Sequence, residues 1–139
     1  MTYADCRILV SNIRSLGREV FILDPAPVKP LVAFAQFEAL DIRVGTIESV
    51  SEVAGSNKLV SFVVDFGDCK RTVLSGMKQE RADLAGLVGV QTLFVVNLEP
   101  RKMAGHLSEA MFFDLGYADG IPPALAVPER PVPNGTRAG

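Results

Sequence analysis

Five strand-like runs separated by glycine-containing turns occupy most of residues 41–115, and they constrain the fold more than any other feature. Each run is rich in β-branched or aromatic residues and is bounded by glycine, asparagine, aspartate or proline, which is typical of strands. The runs span residues 41–50, 59–66, 70–75, 90–98 and 110–115. Within the first run, Gly45 shifts the apolar alternation, which predicts a bulge or a sharp bend.

The gap between the third and fourth runs has a different pattern. Apolar residues from Met77 to Leu87 recur at helical spacing, which predicts one helix there. Three strands, a helix and two strands form the element order of the oligonucleotide/oligosaccharide-binding (OB) fold. We therefore predict an all-β fold with minor helices, in which a five-stranded OB-fold barrel carries a helix between strands three and four.

The two ends of the chain are predicted to be extensions of this barrel. Three prolines, Pro25, Pro27 and Pro30, block regular strand pairing and predict a linker. Residues 1–33 are therefore interpreted as an N-terminal extension with a possible hairpin, and residues 34–139 as the domain. That domain is predicted to begin with a short helix over residues 34–40 and to end in a turn-rich segment from residue 117.

Composition argues against several classes of protein. With 139 residues, 48% hydrophobic and 22% charged, the chain fits one globular domain. No apolar run approaches the roughly 18 residues of a membrane span, and no secretory signal pattern occurs, so we expect no membrane insertion and a cytoplasmic location. Two cysteines and one histidine cannot form a zinc site, and no phosphate-cradling motif or catalytic constellation is found. We expect no cofactor and no enzymatic activity.

The middle of the chain is more basic than its net charge suggests. The net charge is −2, yet residues 58–102 carry seven bases against five acids. After the fourth predicted strand comes a proline-initiated segment, 97–111, in which Arg101 and Lys102 are adjacent and Gly105 gives backbone freedom. We interpret it as a cationic, flexible loop at the end of a buried strand, which suits an anionic polymer such as RNA.

Seven short motifs occur in an order that resembles a known family. They are Asp41-Ile-Arg-Val-Gly45, Asn57-Lys-Leu59, Val64-Asp-Phe-Gly67, Arg71-Thr-Val-Leu-Ser-Gly76, Leu87-Val-Gly89, Val95-Val-Asn-Leu98 and Pro100-Arg-Lys-Met-Ala-Gly105. Together they resemble the stand-alone tRNA-binding domains, whose relatives include the C-terminal domain of bacterial methionyl-tRNA synthetase, the endothelial monocyte-activating polypeptide II domain and the CsaA chaperones.

This resemblance implies a non-catalytic, structure-specific tRNA-binding module with a cationic groove, which often forms a homodimer. The residues that match RNA-contacting positions of the family are Lys58, Asn97, Arg101, Lys102, Ser108 and Met111. The implied dimer interface comprises Phe34, Phe37 and Leu40 of the short helix, together with the segment after Leu115.

Two alternatives stay open at this point. The chain is also similar to CsaA-type chaperones, which implies binding of unfolded preproteins. It is also compatible with a subunit that docks onto a larger enzyme, such as an aminoacyl-tRNA synthetase, through residues 1–33.

Overall fold

A computed structural model describes residues 24–139 of the chain. Residues 24–33 contain no helix or strand, and the hairpin predicted before them lies outside the described residues, so the division at residue 33 stays a prediction. The helix and strands are α1 (Phe34–Glu38), β1 (Ile42–Glu52), β2 (Val60–Asp65), β3 (Lys70–Ser75), β4 (Gln91–Val95), β5 (Arg101–Met103), β6 (His106–Ser108), β7 (Met111–Phe112), β8 (Asp114–Leu115) and β9 (Ala124–Leu125). Within residues 24–139, no helix has the length and apolar character needed to cross a membrane.

Five strands form a curled antiparallel sheet in the order β3-β2-β1-β4-β7. The long β1 connects the two halves of this sheet, because its first part pairs with β4 and its later part pairs with β2. This curled sheet with few helices confirms an OB-like, all-β architecture.

The bend of β1 lies three residues beyond the glycine that predicted it. Gly45 pairs regularly with Thr92, whereas the register with β2 shifts by one residue at Glu48. Gly45 serves close packing instead: a Cβ atom there would lie 2.6 Å from Val64 Cγ1 and 2.8 Å from the Phe66 ring. The glycine therefore lets β2 side chains pack directly onto the β1 backbone.

Aromatic rings form a central part of the buried core. Phe62, Phe94 and Phe112 are buried, with ring centroids 5.0 Å apart for Phe62 and Phe112 and 4.6 Å apart for Phe94 and Phe112. Such tilted and edge-on pairs stabilise a core beyond their buried area alone. The strand phenylalanines were predicted to be mostly core, and only Phe113 among them is substantially exposed.

The helix predicted between strands three and four is not present. Two short 3₁₀ turns, Met77–Gln79 and Ala85–Leu87, take its place. The Asp83 carboxylate accepts a hydrogen bond from the backbone N–H of Gly86, and such local bonding competes with a continuous helix. Met77 and Leu87 are nevertheless buried in the core, so the two apolar ends of the segment still pack against the strands.

The predicted flexible loop over residues 97–111 is largely a hairpin. β5 and β6 pair in antiparallel fashion, and the turn between them is formed by Ala104 and Gly105, both with positive φ. Two successive residues with positive φ are characteristic of the tight type I′ turn, which suits the twist of a two-stranded hairpin. The predicted fifth strand is divided into β7, which joins the main sheet, and β8, which pairs with β9.

The C-terminal segment returns to the beginning of β1. The backbone N–H of Val44 donates to Thr136 O, and the N–H groups of Gly135 and Ala138 donate to Val44 O and Ile42 O. This places residues 135–138 along β1 on the side that β2 leaves free. The turn-rich ending is thereby tied to the sheet through backbone hydrogen bonds.

Candidate nucleic-acid interface

A groove of about 990 Å³ lies between the β5–β6 hairpin and the segment that follows β7. Its lining comes from Lys58 and from parts of three segments, namely the end of β3 with the turn after it, the β5–β6 hairpin with the residues before it, and the residues from Ser108 to Asp119. Four of the six predicted RNA-contacting residues line this groove, namely Lys58, Arg101, Ser108 and Met111. The fold therefore brings together side chains that are more than 50 residues apart in sequence.

Strand alternation separates the two adjacent cations of the hairpin. Arg101 and Met103 line the groove, whereas Lys102 between them does not. Lys102 is paired across the hairpin with Leu107, and directly opposed residues share one face of an antiparallel pair. Since neighbouring side chains along a strand point to opposite faces, Lys102 and Leu107 belong to the outer face of the hairpin.

The groove cations differ from most other cations of the described residues in their ion pairing. Elsewhere, Arg43, Lys70 and Lys78 each form a salt bridge with a nearby carboxylate. Within residues 24–139, by contrast, Lys58 and Arg101 form no salt bridge, and neither does Lys102. All three are exposed. Cations of this kind can contact phosphates without first breaking an internal pair.

Carboxylates also line the groove. Glu80, Glu99, Asp114 and Asp119 face it, against the two cations Lys58 and Arg101, so the predicted cationic character is not confirmed. Partial burial raises the pKa of the Asp114 carboxyl. The groove is thus a surface of mixed charge with apolar stretches between the charges, and any bound polyanion must fit the positions of the cations.

Ser108 and Met111 occupy different environments in the groove wall. Ser108 is buried; its Oγ accepts a hydrogen bond from the backbone N–H of Leu74 at 3.0 Å and donates one to Ala110 O at 3.0 Å. Met111 is 50% exposed, and its thioether side chain is available for contact. Of the two, only Met111 presents a substantial surface to a ligand.

Asn97 lies outside the groove and links three elements. Its Oδ1 accepts from the backbone N–H of Asp41 at 2.7 Å, and its Nδ2 donates to Ala39 O at 2.6 Å. Next to it, the Arg43 guanidinium donates to both carboxylate oxygens of Asp41 and holds the pKa of that carboxyl below its usual value. Asn97 therefore connects the end of β4 to the residues between α1 and β1.

Three exposed residues that line the groove were not among the predicted RNA-contacting residues. They are Tyr117, Leu115 and Leu98, with 70%, 54% and 41% of their surfaces exposed. The signal in the sequence is the pair of glycines at 116 and 120, which enclose the tyrosine in a short turn. Within residues 24–139 no cluster of side chains has the composition of a metal site.

Comparison with known protein families shows which family the chain belongs to. The family model described as "Putative tRNA binding domain" matches residues 42–137. Because this match spans most of the chain and includes the whole sheet and groove, the protein belongs to the tRNA-binding domain family.

Several solved structures are similar to this chain over most of its length. The chain is similar to the MetRS related protein from Pyrococcus horikoshii, with 27% identity and a TM-score of 0.73 over 80% of this chain and 100% of that chain. It is also similar to the chaperone CsaA from Bacillus anthracis str. Ames, with 27% identity and a TM-score of 0.67 over 79% and 100%. The CsaA chaperone protein from Picrophilus torridus, at 22% identity and a TM-score of 0.68 over 78% and 100%, shares the fold.

The buried hydroxyl of Ser108 gives a stability prediction. Ser108→Ala removes the acceptor for the backbone N–H of Leu74, and a buried donor without a partner costs about 1–3 kcal/mol. We expect a lower urea midpoint for this variant. Ser51→Ala is the control, since Ser51 is exposed on β1. Equal midpoints for the two variants would contradict a stabilising hydrogen bond between Ser108 and the backbone of Leu74.

Proposed function

We propose that this protein is a non-catalytic tRNA-binding module that holds folded tRNA in the groove between the hairpin and residues 114–119. The observation that carries the proposal is the pair Lys58 and Arg101, which line the groove and form no ion pair with any other residue of the described part of the chain, 24–139. The membership in the tRNA-binding domain family supports RNA as the ligand.

Phosphate contacts supply the long-range part of this binding. Each phosphate neutralised by Lys or Arg releases condensed counterions, so affinity falls as salt rises. Three contacts, from Lys58, Arg101 and Lys102, correspond to a slope of about −2 to −3 in a plot of log affinity against log salt. Because Lys102 lies on the outer hairpin face, the RNA backbone must pass over the hairpin edge to reach both Arg101 and Lys102.

Carboxylates and apolar side chains supply selectivity. Glu80, Glu99, Asp114 and Asp119 repel phosphates from most of the groove, so a backbone that does not match the two cations gains little. Met111 offers an apolar surface to a sugar or a base. We assign Asn97 and Ser108 a positioning role, since their polar atoms hydrogen-bond within the protein. Recognition by shape and backbone is the mode expected for a folded RNA.

The active form we propose is a homodimer. α1 has no buried residue, and Phe34 and Phe37 are 71% and 46% exposed with ring centroids 6.2 Å apart. With Leu40 beside them, they form an apolar surface of the kind that usually marks a protein contact. We expect Phe34→Ser/Phe37→Ser to sediment as a monomer and the control Val88→Ser, on another exposed apolar residue, as a dimer. A monomeric wild type would contradict the proposal.

A CsaA-like role is the second candidate. The exposed apolar residues Leu98, Met111 and Leu115 in the groove suit an unfolded preprotein segment as well as RNA, and CsaA chaperones are among the similar structures. An aminoacyl-tRNA synthetase is the further partner that the MetRS related protein suggests. Suppression of aggregation of an unfolding test protein that Arg101→Glu leaves unchanged would favour the chaperone role.

Charge reversal tests the proposed function directly. We expect Lys58→Glu and Arg101→Glu each to weaken binding of unfractionated tRNA by about tenfold at low salt and to reduce the salt slope by about 1, since each removes a phosphate contact. Lys102→Glu should act less strongly because Lys102 is outside the groove. Filter-binding titrations over a salt series measure all three.

The matched control is Arg130→Glu, which makes the same charge change at an exposed residue that pairs with Glu129 and does not line the groove. Circular dichroism and sedimentation confirm that fold and oligomeric state are retained. The proposal fails if Lys58→Glu and Arg101→Glu bind tRNA as well as Arg130→Glu does.

A further inference from the structure

Tyr117 is an exposed aromatic residue at the rim of the groove. Its side chain is 70% exposed and lines the groove from the 3₁₀ turn Tyr117–Asp119. Met111 and Leu115 line the same groove and are 50% and 54% exposed, so the ring belongs to a group of exposed apolar side chains of the kind that marks a binding surface. Since Arg101 and Lys58 line the same groove, the ring lies along the surface to which the RNA is proposed to bind.

The turn that carries Tyr117 is constrained on both sides. Gly116 and Gly120 have left-handed backbone angles, with φ of 96° and 71°. The backbone N–H groups of Asp119 and Ile121 donate to Gly116 O at 3.0 and 3.1 Å. A Cβ atom at position 116 would meet the Ile121 side chain, and the φ of 96° is strained for residues other than glycine. The backbone therefore holds the ring at the rim, and ordering the turn costs a ligand little conformational entropy.

The carboxylates near Tyr117 repel a phosphate group but are compatible with a neutral nucleobase. Residues 114–119 contain Asp114 and Asp119 and no basic residue, while the groove cations come from other parts of the chain. A phosphate at this end would face two carboxylates. A nucleobase is neutral, has a flat face for stacking, and in three of the four bases carries an exocyclic amino group that donates to carboxylates.

We propose that Tyr117 stacks on an unpaired base of the bound RNA while Lys58 and Arg101 hold its phosphates. This inference rests on the proposed function and adds to it that the ligand presents an unstacked base to the acidic end of the groove. Base stacking on an aromatic side chain accounts for a substantial share of affinity in single-strand binding and is insensitive to salt, because no counterion is released.

Affinity measurements test this role. We expect Tyr117→Ala to weaken binding of unfractionated tRNA by about tenfold or more with an unchanged salt slope. Tyr117→Phe, which keeps the aromatic face, should bind as the wild type does. Tyr117→Leu, which keeps an apolar side chain without that face, should be weakened. Short single-stranded RNAs of adenosine or cytidine should compete better than uridine, which has no exocyclic amino group.

Intrinsic fluorescence gives a second readout. The chain has two tyrosines, Tyr3 and Tyr117, and no tryptophan, so in a Tyr3→Phe background Tyr117 is the only strong emitter. Titration with tRNA should quench this emission, with a midpoint equal to that of filter binding.

Three results would overturn the inference. Wild-type affinity of Tyr117→Ala, with Arg101→Glu still weakened, would refute stacking and leave the proposed function intact. Equal affinity of Tyr117→Leu and wild type would show a merely apolar contact. Loss of the dimer in Tyr117→Ala would place the ring in the subunit interface. Absence of tRNA binding by the wild type would instead refute the proposed function itself.

Discussion

The position of one groove wall depends on hydrogen bonds between β3 and residues 108–109, which lie at the base of the β5–β6 hairpin. Thr72 N donates to a Glu109 carboxylate oxygen at 2.8 Å, and Glu109 N donates to Thr72 O at 2.9 Å. The Ser108 hydroxyl accepts a hydrogen bond from the backbone N–H of Leu74, two residues further along β3. Two of these three hydrogen bonds use a side-chain acceptor in place of a backbone acceptor. They pair backbone N–H groups that an edge strand such as β3 otherwise leaves without a partner in the sheet. They fix the hairpin relative to the sheet and so set the width of the groove.

The proposed RNA site lies on a chain whose net charge is negative. The groove holds two cations on different elements, Lys58 before β2 and Arg101 on the hairpin, and carboxylates line the same groove. The proposed binding therefore requires phosphates at a fixed separation and tolerates neutral bases elsewhere. A uniformly basic groove would bind any polyanion, whereas mixed charge penalises ligands of the wrong shape. The proposed selectivity therefore follows from the arrangement of charges and not from their sum.

Much of the fold could be predicted from the sequence because alternation and turn residues are local signals. The third strand, Lys70–Ser75, was predicted with its observed ends. The predicted helix at 77–87 was wrong, since Asp83 and Gly86 favour a short local turn that apolar spacing does not reveal. The bend at Glu48 arises from pairing with a distant strand, so Gly45 gave the correct strand but the wrong position.

The candidate site was predictable in part for the same reason. Arg101 and Lys102 could be found as neighbouring cations, but only the hairpin register shows that they occupy opposite faces. The donors to Ser108 and Asn97 are the backbone N–H groups of Leu74 and Asp41, which lie 34 and 56 residues away, and nothing local in the sequence indicates them. The sequence analysis did not propose Tyr117 as a binding residue, because its proposed role depends on the hairpin and residues 114–119 lining one groove.

Hydrogen–deuterium exchange of the wild-type protein with and without tRNA tests the central claim most directly, since it locates the bound RNA without any substitution. The account predicts slower exchange on tRNA binding in residues 101–103 and 108–119, with no change in α1. Protection confined to α1, or confined to strands outside the groove, would contradict it.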